Sequence, residues 1–160
     1  MASKETLVGD VLSRADEVQA SSWLDLEPTP RAPGSARRFV QSNAPALTPE
    51  TEDSLILLTS ELVTNAVLHA RTAISVGLVV AKRSVLVLVH DLDLTQPSQN
   101  PYPQREGGWG LALVGALAES SGMAIHPGGG KTAWFRLLRQ PAPYVADDAA
   151  ARPDASRRDS

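Results

Sequence analysis

Three stretches decide the fold: ELVTNAVLHA at residues 61–70, AISVGLVVAK at residues 73–82 and SVLVLVHD at residues 84–91. The last two are rich in β-branched residues and only Arg83 separates them, which is hairpin spacing and predicts an antiparallel pair. The first belongs to a helix that opens at Thr48-Pro49-Glu50, where a capping hydroxyl, a proline at the first helical position and an acid in the first turn coincide. Leu55, Leu62, Val63, Ala66 and Val67 fall on one broad arc of that helix, which should run to about Ala70, where Arg71-Thr72 breaks the pattern. Downstream, LDLTQPSQNPYPQREGG (residues 92–108) has three prolines and little apolar periodicity, so it reads as a long loop and a candidate lid. Gly110 to Ser121 reads as a second apolar helix ended by Gly122, and MAIHP and KTAWFRLLR read as closing strands around the turn at Gly128 to Gly130. The order is helix, two strands, loop, helix, two strands. It predicts an α/β domain, in detail an α+β two-layer sandwich: a mixed, largely antiparallel sheet with helices on one face.

Outward from this centre the signals weaken. Pro33 to Ala44 reads as a short helix burying Ala36, Phe39 and Val40, and Trp23, Leu24 and Leu26 as the start of an edge strand. Lys4 to Ala20 has a faint helical pattern (Leu7, Val11, Leu12, Ala15, Val18), cut off by the prolines of SSWLDLEPTP. The stretch from Gln140 to Ser160 is dominated by Pro, Ala, Asp and Arg and buries little apolar area, so it is expected to be a disordered tail. The expected division is an N-terminal extension at 1–30, one domain at 31–139 and the tail at 140–160. A chain of 160 residues accommodates one such core. The absence of cysteine excludes disulfides and thiol chemistry, and suits a reducing compartment. No continuous apolar run reads as a signal peptide or a membrane span, so a cytoplasmic protein without membrane attachment is expected. A net charge of -3 argues against nucleic acid as a partner.

Four places offer chemistry. Glu61, Asn65 and His69 are spaced i, i+4, i+8 on the long helix and so form one row beside its apolar face. They read as a solvated helix edge, or as a hard oxygen ligand for magnesium (Asn65) with a proton acceptor one turn earlier (Glu61). Asp91 ends a strand where the chain enters the long loop. It is a turn former, with Asp93 competing as local acceptor, or an acceptor for a purine amino group. Gly107-Gly108-Trp109-Gly110 is a hinge with an N-cap, or a phosphate cradle at a helix start. Gly128-Gly129-Gly130-Lys131-Thr132 suggests a P-loop, but Ile125 stands where its first glycine belongs and a strand follows instead of a helix. It reads as a glycine turn in a hairpin, with Lys131 or Thr132 within reach of a phosphate.

Taken in order, ELVTNAVLHA, VHD, GGWGLALV and GGGKTAWF resemble the N, G1, G2 and G3 boxes of the GHKL ATPase and kinase superfamily, over about Ala36 to Leu138. More closely, the chain is similar to small single-domain serine/threonine kinases of the anti-sigma-factor type. The resemblance implies a Bergerat fold holding ATP and Mg2+, with Asn65 on the metal, Glu61 as general base, Asp91 on the adenine amino group, and Gly108, Gly110 and Leu111 near the phosphates. It implies transfer of the γ-phosphate to an antagonist protein, sequestration of a sigma factor, or both, and it suggests a homodimer. Asp93 departs from the G1 pattern, which often has a glycine or small residue there, and this motivates an alternative: a non-catalytic interaction module of the same fold. A histidine kinase catalytic fragment is the weaker reading, because no helical hairpin with a phosphoacceptor histidine precedes the domain. His69 and His90 read as structural.

Overall fold

The computed structural model of the chain describes residues 3–9, 11–12, 16–93 and 109–139. In chain order its elements are α1 (Lys4–Gly9), β1 (Val18–Leu26), α2 (Ala32–Asn43), α3 (Pro49–His69), β2 (Ile74–Ala81), β3 (Ser84–Asp91), α4 (Trp109–Leu117), β4 (Ser120–Ile125) and β5 (Lys131–Leu138). The five strands form one sheet in the order β1-β2-β3-β5-β4. Every ladder in it is antiparallel, in keeping with the largely antiparallel sheet expected.

Helix α3 starts as its cap predicts: the Thr48 hydroxyl accepts the Thr51 N–H, Pro49 occupies the first turn, and Glu50 and Glu52 face the positive end of the helix dipole. It stops because Arg71 takes a left-handed conformation at φ 53°, the usual way a helix C-terminus turns out. Strands β2 and β3 then form the predicted hairpin, and every residue of β3 is buried.

Alternation along the strands divides the core in two. On the inner face, Val85, Val87, Val89, Phe135 and Leu137 pack with α2, α3 and α4 through side chains such as Val40, Leu58, Leu62 and Val114. On the outer face, Leu86, Leu88, Val79 and Trp134 pack with Leu7 of α1, which is only 2% exposed. The expectation of helices on one face therefore holds for three helices, while α1 lies on the other. Two tryptophans complete the outer face by covering glycines directly across the ladder: Trp23 opposite Gly77 and Trp134 opposite Gly122.

Two expectations are corrected. Val18 and Ala20 belong to β1, not to a helix, because pairing with β2 as far as Ala81 outweighs a faint helical pattern, so the sheet begins well before residue 31. Ser120 to Gly122 belong to β4, not to the end of α4, because they pair with Arg136, Phe135 and Trp134 of β5. The long loop after Asp93 and the tail from residue 140 lie outside the described residues. No described helix is long and apolar enough to cross a membrane.

A methyl group at Gly77 would lie 2.7 Å from the Trp23 ring. Gly77→Ala should destabilise the protein by about 1–3 kcal/mol in chemical denaturation, the range for overpacking a filled core. Wild-type stability in that variant would show that Trp23 does not rest on Gly77.

Candidate functional site

Helix α3 packs against β3, β5 and α4, so its polar row stands at the edge of the inner core. Glu61 and Asn65 are half-buried, one turn apart, between the buried Leu58, Leu62 and Ala66; His69 is exposed. Neither the Glu61 carboxylate nor the Asn65 carboxamide is engaged by a partner among the described residues. Polar groups held at the rim of an apolar core without partners are available to a ligand.

Asp91 is 3% exposed and, by strand parity with Val85, Val87 and Val89, belongs to the inner face. Its Oδ1 accepts the Asp93 N–H at 3.0 Å, so the two acids do not compete as acceptors; Asp93 donates to Asp91. Burial raises the Asp91 pKa above the ordinary carboxylate value, against the lowering effects of that backbone hydrogen bond and of the nearby Lys131 charge. The turn is tied from a third direction by the Leu92 N–H, which donates to the Thr72 hydroxyl at 3.0 Å.

Lys131 stands across the ladder from Asp91, and its ammonium makes a 3.1 Å ion pair with the Asp93 carboxylate, at 15% and 13% side-chain exposure. The sequence left Lys131 free for a phosphate; the structure commits it to Asp93. Thr132 is corrected more firmly. It is fully buried with the parity of Trp134, hence on the outer face, away from the helices. Its hydroxyl sits between His90 Nδ1 at 3.1 Å and His126 Nε2 at 2.8 Å, so it does not reach the inner face. Burial and then the charge of His126 lower the His90 pKa, which favours the neutral form of the His90 ring. His90 is buried on the outer face, and its Nε2 has no partner among the described residues.

The glycine turn earns its composition. Gly129 and Gly130 have φ of 103° and 91°, and a side chain on Gly130 would collide with the Asp91 carbonyl and the His90 ring. Turn and strand end are thus pressed together. Gly110 and Leu111 lie in the first turn of α4, and Gly108 lies outside the described residues. Sequence reasoning missed Thr72, the Asp93–Lys131 pair and the threonine between two histidines. Each depends on contacts between segments far apart in the chain.

A five-stranded antiparallel sheet with helices packed on its inner face is the arrangement of the GHKL ATP-binding fold. The chain belongs to that class: the model of the histidine kinase-like ATPase domain family matches residues 26–137, from the end of β1 into β5. Among solved structures it is similar to the crystal structure of the RsbU and RsbW domains of Rv1364c from Mycobacterium tuberculosis, with a TM-score of 0.58 at 24% identity. The match covers 80% of this chain and 35% of that one, so the chain spans about a third of that structure's length and the likeness is one of fold. None of the curated proteins matches the chain.

A carboxyl whose folded-state pKa is raised favours the folded state below its unfolded pKa and costs stability as pH rises through the folded value. Asp91→Asn should therefore melt at or above the wild-type temperature at pH 7, with an advantage that shrinks on titration towards about pH 4. A clear loss of stability at pH 7 would show that the Asp91 charge holds the fold together.

Proposed function

We propose that the chain is an ATP-dependent regulatory kinase of the anti-sigma-factor type, which transfers the γ-phosphate of ATP to a serine or threonine of an antagonist protein in the cytoplasm. The observation that carries this reading is the α3 row: Glu61 and Asn65, half-buried, one turn apart and unpartnered among the described residues, on the helix that packs against the strand ending in Asp91. In this reading Asp91 accepts a hydrogen bond from the purine amino group through Oδ2, because Oδ1 is already taken by Asp93. The start of α4, with Gly110 and Leu111, offers backbone N–H groups and the positive end of a helix dipole to the phosphates.

Asn65 would hold magnesium through its carboxamide oxygen. No group of three or more His, Asp or Glu among the described residues is placed to cage a metal, and one neutral oxygen is a weak ligand alone. This donor set suits a magnesium ion whose other ligands are phosphate oxygens and water, and the ion when bound neutralises phosphate charge. Glu61 acts on the acceptor: its carboxylate takes the proton of the partner's hydroxyl as that oxygen forms its bond to the γ-phosphorus. The bond from that phosphorus to the bridging oxygen breaks, ADP leaves, and the proton passes from Glu61 to solvent. The alternative of a non-catalytic module drew its force from Asp93 crowding the purine. The Asp93 carboxylate is paired with Lys131, which supports the catalytic reading over that one.

The test is transfer of labelled γ-phosphate from ATP to a co-expressed antagonist-type protein. Glu61→Gln should cut transfer by about 10²-fold or more, within the range for loss of a general base, while ATP still binds. Unchanged transfer in that variant would remove Glu61 from the mechanism. A partner that binds stoichiometrically but is never phosphorylated would favour sequestration instead.

A further inference from the structure

Asp93 and Lys131 are 38 residues apart in sequence, yet they make a largely buried ion pair at the mouth of the site. The pair joins the turn after β3 to the first residue of β5. Both ends of the bond are already fixed by neighbours: the Asp93 N–H is held by Asp91 Oδ1, and Lys131 is the ladder partner of Asp91. Thr72 holds the intervening Leu92 N–H, and Gly130, beside Lys131, abuts the Asp91 carbonyl. The Asp91 carboxyl is thus enclosed by a loop of contacts running from its own Oδ1 through Asp93 and Lys131 and back across the ladder.

We infer that the Asp93–Lys131 ion pair is a clasp that positions the Asp91 carboxylate to accept the purine 6-amino group, which makes both residues positioning residues for nucleotide selectivity. This rests on the reading of Asp91 as the purine acceptor. The chemistry is specific to the side chains present. An acid after β3 adds a second negative charge near Asp91 that disfavours its ionised form, and the Lys131 ammonium paired with that acid acts in the opposite direction. A buried hydrogen-bond acceptor is useful only when its direction is fixed, and the clasp fixes it through the Asp93 backbone. Lys131 then acts on selectivity for the base, not on the phosphates.

The experiment compares Kd for Mg2+-ATP and for Mg2+-purine riboside triphosphate, which lacks the 6-amino group, in the full chain. Lys131→Met should weaken ATP about tenfold, the scale of one poorly satisfied buried hydrogen bond, and weaken the amino-free nucleotide less than about twofold. Asp93→Asn should move the two affinities in the same unequal way. The reversed pair, Asp93→Lys with Lys131→Asp, should recover ATP affinity relative to Lys131→Met. Far-UV circular dichroism establishes that each variant is folded, and if Lys131→Met is not, Asp93→Asn and the reversed pair carry the comparison. Equal losses for both nucleotides would place Lys131 on the phosphates and overturn the clasp. Unchanged affinities in every folded variant would overturn it too. Failure of the wild type to bind either nucleotide would overturn the purine-site reading and the clasp with it, whereas wild-type binding with indifferent variants removes the clasp alone.

Discussion

Strand β3 is buried on both faces, and the rest of the molecule is arranged around the alternation of its side chains. Val85, Val87 and Val89 give α2, α3 and α4 an apolar bed, while Leu86 and Leu88 do the same for α1 and the two tryptophans on the far side. The same alternation carries Asp91 to the helix face and His90 to the opposite one. A single slip of register would exchange them and send the acid away from the α3 row. The site therefore inherits its geometry from the hydrophobic pairing of β3 with β2 and β5, not from the polar residues that occupy it.

At the end of that strand the protein accepts local cost. Asp91 is a buried acid whose charged form burial disfavours, and Gly130 gives up a side chain so that the turn can press against it. On the outer face the buried His90–Thr132–His126 group leaves one ring nitrogen without a partner. Departures from apolar packing gathered around one strand end are expected where a ligand must be recognised, since a fully satisfied core has nothing left to bind with.

Local signals were legible in the sequence. The Thr48-Pro49-Glu50 cap set the start of α3, and the β-branched runs placed β3 at its observed bounds and β2 within one residue at each end. The row of Glu61, Asn65 and His69 followed from helical spacing alone. What the sequence hid was decided by pairing at a distance. The first residues of β1 carry no apolar alternation and become a strand only because β2 offers its edge. Ser120 to Gly122 look like a helix end and are drawn into the sheet by β5, with Gly122 beneath Trp134. Lys131 and Thr132 are neighbours that looked equivalent towards a phosphate, and only the register of β5 with β3 shows that they leave the sheet on opposite faces.

The central claim is that the inner face between α3 and the end of β3 holds ATP through magnesium on Asn65. Calorimetric titration with ATP, with and without magnesium, in the wild type and in Asn65→Ala, tests it most directly. The account predicts saturable binding of one ATP per chain that requires magnesium and weakens at least about tenfold in Asn65→Ala, within the effect expected for losing a metal ligand. An absence of binding, or binding that is indifferent both to magnesium and to Asn65, would contradict it.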